Sequence, residues 1–443
     1  MIVATALLGG SSRPDAGTLL LLRPIVVAIL GGVLLIAGGE DRAISRAPRI
    51  FLTLLAATIA VQLIPLPPQW WLSLPGHGQL APSISLAGPA AGWRPISLYP
   101  DLTLNALIAL LPAAVVVLGY ARLTRTQRLS LLPWLVGIAA LSAMLGLVQI
   151  LGGGNSPAYL YRPTSLGLPV GLFANRNHQA VFLALALAPL SVWGLRSRGK
   201  IALPIRIAMV VGGILLSLPV IILTGSRSGL IMTFGVLLLL PWILRVSLKR
   251  RLGNTRSQIV TYAALAVVVL VVAVIGYMVS NDQATSISRL LDTNELRAEK
   301  RILAAPVMIH MLKDFFPVGI GYGAFEPLFR AYEPDALLTP TYFNRAHNDV
   351  LELAMSGGLL TIAVMVVFAG WFVQRCIALF RNNERGLPAI YARLSAVLIL
   401  GLILASITDY PVRTPIITAV FALACMWLED GSRRPPNIVE SER

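Results

Sequence analysis

The chain has 443 residues, of which 56% are hydrophobic and 13% charged, with a formal net charge of +16 and a mean hydropathy of +0.76. Soluble domains are about half apolar and about a quarter charged, so this composition excludes a soluble enzyme and describes a polytopic membrane protein, for which the usual length-to-domain rule does not apply. The positive charge is what basic cytoplasmic loops supply in any such protein, and it does not indicate nucleic-acid binding.

The first ten residues lack a basic segment and a long apolar run, so they do not read as a cleavable signal. A membrane span needs about 20 apolar residues. Taken in order, such runs fall near 17–39, 49–66, 102–120, 131–151, 178–195, 203–223, 229–244, 259–280, 349–372, 390–408 and 412–428. The expected fold is all-α and polytopic, with eleven or twelve spans in one integral membrane unit over 1–443. A large, partly helical loop at 281–347 separates the spans near 259–280 and 349–372. Cys376 and Cys425 lie near or inside spans, which argues against a disulfide framework. No Cys/His cluster has metal-ligand spacing, and no internal repeat is visible.

The connecting loops alternate in character. Arg42, Arg46 and Arg49 occupy one; Arg122, Arg125 and Arg128 another; Arg196, Arg198, Lys200 and Arg206 a third. Arg245, Lys249, Arg250, Arg251 and Arg256 fill a fourth, and Arg375, Arg381 and Arg385 a fifth. With these spans, all five lie on one side, and short basic loops mark the cytoplasm. The Pro/Gly/Ser-rich stretch up to about residue 100, the 152–177 loop, the turn near 225–229 and the 281–347 loop then face the periplasm. The C-terminus lies inside.

The polar motifs share that outer face. Asn175, Arg176, Asn177 and His178 open the fifth span and serve either as helix caps or as ligands for sugar hydroxyls and phosphate. Arg227 sits in the turn of Gly225, Ser226, Ser228 and Gly229 between two apolar runs. A cation so close to the bilayer faces a wet cavity or an anion, or else snorkels to headgroups. The segment 286–316 mixes Ile287, Leu290, Leu291, Leu296, Ile302 and Leu303 with Arg289, Arg297, Lys300 and Arg301. That is the pattern of a helix lying along the membrane surface. The glycine-rich stretch 317–323 follows no strand, so it is not a dinucleotide-binding turn. His347 opens the ninth span beside Arg345, Asn348 and Asp349, with Glu352 one turn further in. It reads either as part of a helix cap or as a general base that Asn348 and Asp349 orient.

With these motifs in place the chain resembles the O-antigen ligase and O-antigen polymerase family of bacterial envelope glycosyltransferases. The resemblance covers roughly 160–425. It rests on residues 225–229, on the 301–323 stretch with Asp314, Pro317, Gly319 and Gly321, and on His347, Asn348, Asp349, Val350, Leu351 and Glu352. It implies a multi-span helical enzyme of the inner membrane. Such an enzyme moves a glycan from an undecaprenyl-pyrophosphate carrier to a glycan or glycolipid acceptor such as lipid A-core, on the periplasmic face, without metal or other cofactor. His347, Arg227 and Arg301 match the family's essential residues, with Arg297 as the alternative loop arginine. Ala305 and Pro306 stand where an aromatic is common. Asn175, Arg176, Asn177, His178, Ser226, Arg297, Arg345 and Asn348 are the candidate substrate contacts. Membrane lipids are partners and nucleic acid is not. The alternatives are a polymerase that extends a lipid-linked glycan, and a transporter that binds the same lipid-linked anion without chemistry.

Overall fold

The computed structural model describes residues 1–35, 42–80, 82, 92–162, 165–196, 201–244, 296–338, 342–381 and 386–432. The span expected near 259–280, residues 281–295 with Arg289, and most of the basic loop that begins at Arg245 lie outside these, as do the side chains of Arg297 and Lys300. The described elements are almost wholly helical: α1 Ile2–Leu8, α2 Leu19–Leu35, α3 Arg42–Val61, α4 Pro68–Ser73, α5 Pro100–Ile108, α6 Leu111–Arg122, α7 Arg125–Leu129, α8 Leu131–Leu151, α9 Arg176–Arg196, α10 Leu203–Leu223, α11 Arg227–Leu244, α12 Leu296–Phe315, α13 Phe325–Tyr332, α14 Asp349–Arg381, α15 Leu387–Thr408 and α16 Pro415–Ser432. A two-residue antiparallel ladder joins β1 Pro65–Leu66 to β2 Arg94–Pro95.

Eight of the described helical segments are long and apolar enough to cross a membrane: Pro100–Arg122, Arg125–Leu151, Arg176–Leu195, Leu203–Leu223, Arg227–Leu244, Asp349–Arg381, Leu387–Thr408 and Pro415–Ser432; Leu19–Leu35 is apolar but shorter. The chain is thus an all-α polytopic membrane protein, as the composition predicts. Four boundaries differ from the sequence reading, the first at 49–66, where the helix is α3 Arg42–Val61 and is not among the eight. The expected span at 102–120 is split between α5 and α6 at Ala109 and Leu110. The span at 349–372 extends to Arg381, and the last begins at Pro415, not at 412. Pro415 is the reason for the last: it suits the first helical turn, and Thr414 before it caps a short 3-10 turn, Pro411–Arg413. The sequence reading also placed no element at α1, which packs against α2, α8 and α16.

α9 is the central helix. Burial covers 89% of its window, against 78% for α15, 67% for α16 and 28–39% for the other spans, so these three form the core and the rest face lipid. Small residues let the core helices approach closely. A Cβ on Gly229 of α11 would lie 2.5 Å from Ala180 of α9, and one on Gly401 of α15 would lie 2.5 Å from Leu185 of α9. Such close contact compensates for the absence of a hydrophobic driving force between helices in lipid.

The described residues that flank the basic loops gather at one end of the bundle. There Tyr120 donates to Asp430 (2.9 Å), Arg375 pairs with Glu429 (2.9 Å) and Arg393 Nε donates to the Ile243 carbonyl (3.0 Å). The polar motifs lie at the other.

The glycine-rich stretch 317–323 has a structural task at that second end. α14 breaks at Gly358 (φ 57°, ψ −141°), which removes intrahelical partners from carbonyls near the break. Within a bilayer an unpaired carbonyl costs several kcal/mol. The glycine stretch supplies the partners: Ile320 N–H donates to Met355 O and Gly321 N–H to Ser356 O, both at 2.9 Å, while Leu359 N–H returns to Pro317 O at 2.9 Å. The approach needs glycine on both sides. A Cβ on Gly358 would sit 2.0 Å from Pro317 O, and one on Gly319 would sit 2.5 Å from Ser356 O. Leu98 N–H, Gln62 Nε2 and Thr103 Oγ1 bond the same turn from the segment after α3 and from α5.

Candidate active site

Four segments converge at the motif-bearing end: the start of α9, the turn before α11, the 342–349 segment entering α14, and the 409–414 turn between α15 and α16. The last of these ties the others together.

Asp409 lies just beyond the end of α15 and is 4% exposed. Its Oδ2 accepts from Asn177 Nδ2 at 2.9 Å and its Oδ1 from the Tyr410 N–H at 3.0 Å. His347 Nδ1 stands 3.3 Å from Oδ1, and His178 Nε2 stands 3.9 Å from the same oxygen. Burial alone would raise the Asp409 carboxyl. The His347 contact and the charges of His178, His347 and Arg301 outweigh it and hold the carboxyl well below the usual carboxylate range. Arg301 reaches this corner from α12, where its Nη1 donates to the Thr408 carbonyl at 3.2 Å. The Tyr410 ring packs between the two imidazoles, 5.3 Å from His178 and 5.0 Å from His347. Burial and the Asp409 charge push its hydroxyl up to about 12, so it is neutral at any relevant pH.

His347 has φ 51° and is the only non-glycine with positive φ among the described residues. That conformation costs of order 1–3 kcal/mol and persists only where the surroundings impose it. They do so from both sides. Glu352, 1% exposed, accepts from the Ala346 N–H at 2.8 Å and from Arg345 at 3.1 Å. On the other side Asn348 caps α14 by accepting from the Leu351 N–H at 3.0 Å. Arg413 closes the cage: it bonds Asp349 Oδ1 and approaches Glu352 Oε1 to 3.1 Å. Burial would lower Arg413, but Glu352 and Asp349 raise it above its ordinary value. With Nδ1 turned to Asp409 Oδ1, the imidazole has Nε2 as the nitrogen for a substrate proton.

The turn of Arg227 is anchored to the same corner. Arg176 Nη1, one residue before Asn177, donates to the Thr224 carbonyl at 3.0 Å. Gly225 (φ 61°) makes the turn, and Ser226 Oγ accepts from the Gly229 N–H at 3.3 Å to start α11. Arg227 opens α11 with its side chain exposed. The face of α12 that carries Ile302, Leu303 and Ile309 is exposed as well, as a helix lying along a membrane surface requires.

The structure thus gathers His347, Arg301, Asn177 and His178 in one constellation and ties the Arg227 turn to it. It gives other candidates different surroundings. Arg345 is paired with Glu352 and only 14% of its side chain is exposed, so its charge is neutralised within the protein. Asn348 and Asp349, expected to orient the imidazole, turn instead to the α14 N-terminus and to Arg413. Asn175 accepts from the Asn177 N–H at 2.9 Å and so shapes the start of α9, and Ser226 acts as a cap. Asp409, Tyr410 and Arg413 were not among the sequence candidates. The available signal was an acidic residue in a very short connection on the motif-bearing side, where a buried charge needs partners; Arg413 had been counted as the start of a span.

Comparison with known proteins gives a family for this site. No curated protein matches the chain. The family model described as O-antigen ligase matches residues 212–366, a stretch within the 160–425 region that contains Arg227, Arg301 and His347 but neither the start of α9 nor Asp409. Residues 212–366 are thus similar to the O-antigen ligase family, within a chain that is a multi-pass membrane protein.

Proposed function

We propose that this enzyme transfers a glycan from an undecaprenyl-pyrophosphate carrier to an acceptor hydroxyl, on the periplasmic face of the inner membrane. The observation that carries this reading is the pairing of His347 with the buried carboxylate Asp409, next to Arg301 and tied through Arg176 to the Arg227 turn. His347 Nε2 takes the proton of the acceptor hydroxyl as its oxygen attacks the anomeric carbon. The bond from that carbon to the carrier phosphate breaks, and its electron pair leaves with the pyrophosphate. Asp409 stabilises the imidazolium that forms, as a carboxylate does for a catalytic histidine. Arg227 and Arg301 meet the charge that develops on the leaving group. Guanidinium suits this task because its planar fork matches phosphate oxygens and its charge does not titrate. Attack by the acceptor in one step inverts the anomeric carbon.

The acceptor decides between ligase and polymerase. Lipid A-core oligosaccharide makes this a ligase, which the family description favours, and a second lipid-linked glycan makes it a polymerase. Purified protein in lipid nanodiscs, given a lipid-pyrophosphate-linked glycan and each acceptor in turn, should form a new glycosidic product with one of them. His347→Ala should insert and still bind the donor while losing about a hundredfold or more in transfer. Donor binding and translocation without product in any mixture, or unimpaired transfer by His347→Ala, would refute the reading; the former outcome would describe a transporter.

A further inference from the structure

Asn177 was a candidate for contact with substrate, but its amide faces another way. Nδ2 donates to Asp409 Oδ2 at 2.9 Å, while Asp409 Oδ1 takes the Tyr410 N–H at 3.0 Å and faces His347 at 3.3 Å. The two oxygens of the carboxylate are thus divided, one held by Asn177 and the other turned to the imidazole. Asn177 is itself fixed, since its N–H donates to Asn175 Oδ1 and it opens the central helix α9. The next residue, His178, is 1% exposed and lies edge-on to both Phe173 and Tyr410, where it closes the space behind the carboxylate.

We infer that Asn177 is a positioning residue of the transfer reaction: it fixes the rotation of the Asp409 carboxylate so that Oδ1 faces His347. The inference rests on the role proposed for His347 and adds a link that the O-antigen ligase match does not reach, because Asn177 lies outside residues 212–366. Without Asn177, Oδ2 loses its side-chain donor and the carboxylate can turn about its own bond, with the Tyr410 N–H left to hold Oδ1 toward the imidazole. Misplacement of a catalytic contact by about 1 Å costs up to about a hundredfold in rate. The loss should fall on turnover and not on substrate affinity, because the Asn177 amide is taken up by Asp409.

The test compares Asn177→Ala and the nearly isosteric Asn177→Asp in the full-length protein in nanodiscs, with kcat and KM for donor and acceptor followed across pH. Rates are expressed per mole of folded protein. Both variants should lose roughly tenfold to a hundredfold in kcat with each KM within about twofold of wild type. Their pH profiles should move in opposite directions. The imidazole faces Asp409 and Tyr410 from the turn after α15 and His178 from α9; Arg301 of α12 acts on Asp409, and Arg345 and Glu352 pair with each other in the neighbouring chain segment. Asn177→Ala loosens the carboxylate and so should move the acid limb of kcat to lower pH. Asn177→Asp adds a second carboxylate and should move it to higher pH. The double variant Asn177→Asp with Asp409→Asn rebuilds an amide–carboxylate pair and should fold, but with the carboxylate away from His347 it should not recover turnover. Wild-type kcat in Asn177→Ala, a defect confined to KM, or a kcat loss without the opposed shifts would overturn the inference. If His347→Ala itself transfers normally, the proposed function has failed. If His347→Ala is inactive while the Asn177 variants are normal, only the positioning role has failed.

Discussion

Asp409→Asn isolates the electrostatic part of the site. The substitution keeps size and shape. An asparagine there can still accept from the Tyr410 N–H, and Asn177 can turn its amide over to remain paired, so the fold should survive. What is lost is a full negative charge 3.3 Å from His347 Nδ1. Two unit charges at that distance attract by about 5 kcal/mol at an effective dielectric of 20. Because 18% of the His347 side chain is exposed, solvent screening reduces this to about 3–4 kcal/mol. At 1.36 kcal/mol per tenfold, kcat should fall roughly a hundredfold to a thousandfold. KM should change little, since the imidazole carries its charge only as the proton arrives. The assay is product formation by purified protein at saturating donor and acceptor, alongside thermal unfolding to show that the variant is folded. A kcat within tenfold of wild type, in a folded variant, would refute the assignment of Asp409 as partner of the general base.

Ionisation of Asp409 also predicts a pH dependence of stability. A carboxyl held below its ordinary value favours the folded state at all pH above the unfolded pKa of about 3.9, and that advantage is lost as pH falls through the lower folded value. The difference in Tm between wild type and Asp409→Asn should therefore stay constant from pH 7 to about 5 and shrink only in strong acid; a difference that collapses between pH 7 and 6 would contradict the environment described for Asp409. Arg413→Met leaves Glu352 and Asp349 short of a cation in a buried cluster, and breaking such a pair costs about 3–5 kcal/mol, so the amount of folded protein after detergent extraction should drop sharply, whereas an unchanged melting temperature would show the cage to be dispensable. Gly358→Ala drives a Cβ into the Pro317 carbonyl in a backbone region open to glycine alone; overpacking and strain of about 1–3 kcal/mol each should lower the melting temperature, and a neutral result would mean the α14 kink relaxes easily. Arg227→Lys keeps charge without the fork and should lose most transfer, with near-normal turnover marking Arg227 as an interfacial anchor only.

The helical architecture was legible because bilayer physics leaves a strong one-dimensional trace. Apolar runs of span length, with Pro204 and Pro388 near helix starts, can be counted directly. The site was legible only in part. Arg227, His347, Asn177 and His178 stood out because polar side chains at span entrances are costly and few. Asp409 did not stand out, since its importance lies in which helix ends meet around it, and no local pattern reports that the start of α9 and the end of α15 share a corner. Arg345 shows the same limit. Its neighbour in the sequence is His347, but its neighbour in charge is Glu352, seven residues on and reached only because the chain doubles back at a positive φ.

The cations of this end divide by their surroundings. Arg345 and Arg413 stand opposite Glu352 and Asp349, a buried group of two positive and two negative charges that is neutral as a whole. Such a group is costly to bury and adds little net attraction for an external anion. Its effect is geometric: it imposes the backbone of residues 345–349 and with it the strained conformation that turns His347 toward Asp409. Arg301 and Arg227 are placed differently. Arg301 bonds a backbone carbonyl, which leaves its positive charge uncancelled by that contact, and Arg227 opens a helix whose N-terminal dipole adds to its own field. Arg345 and Arg413 thus hold the backbone behind the imidazole, while Arg301 and Arg227 are the two cations that the proposed function assigns to the leaving group. Strain at one residue, a neutral cage behind it and cations at its flank form the arrangement on which the proposed proton removal from an acceptor, with departure of a pyrophosphate, rests.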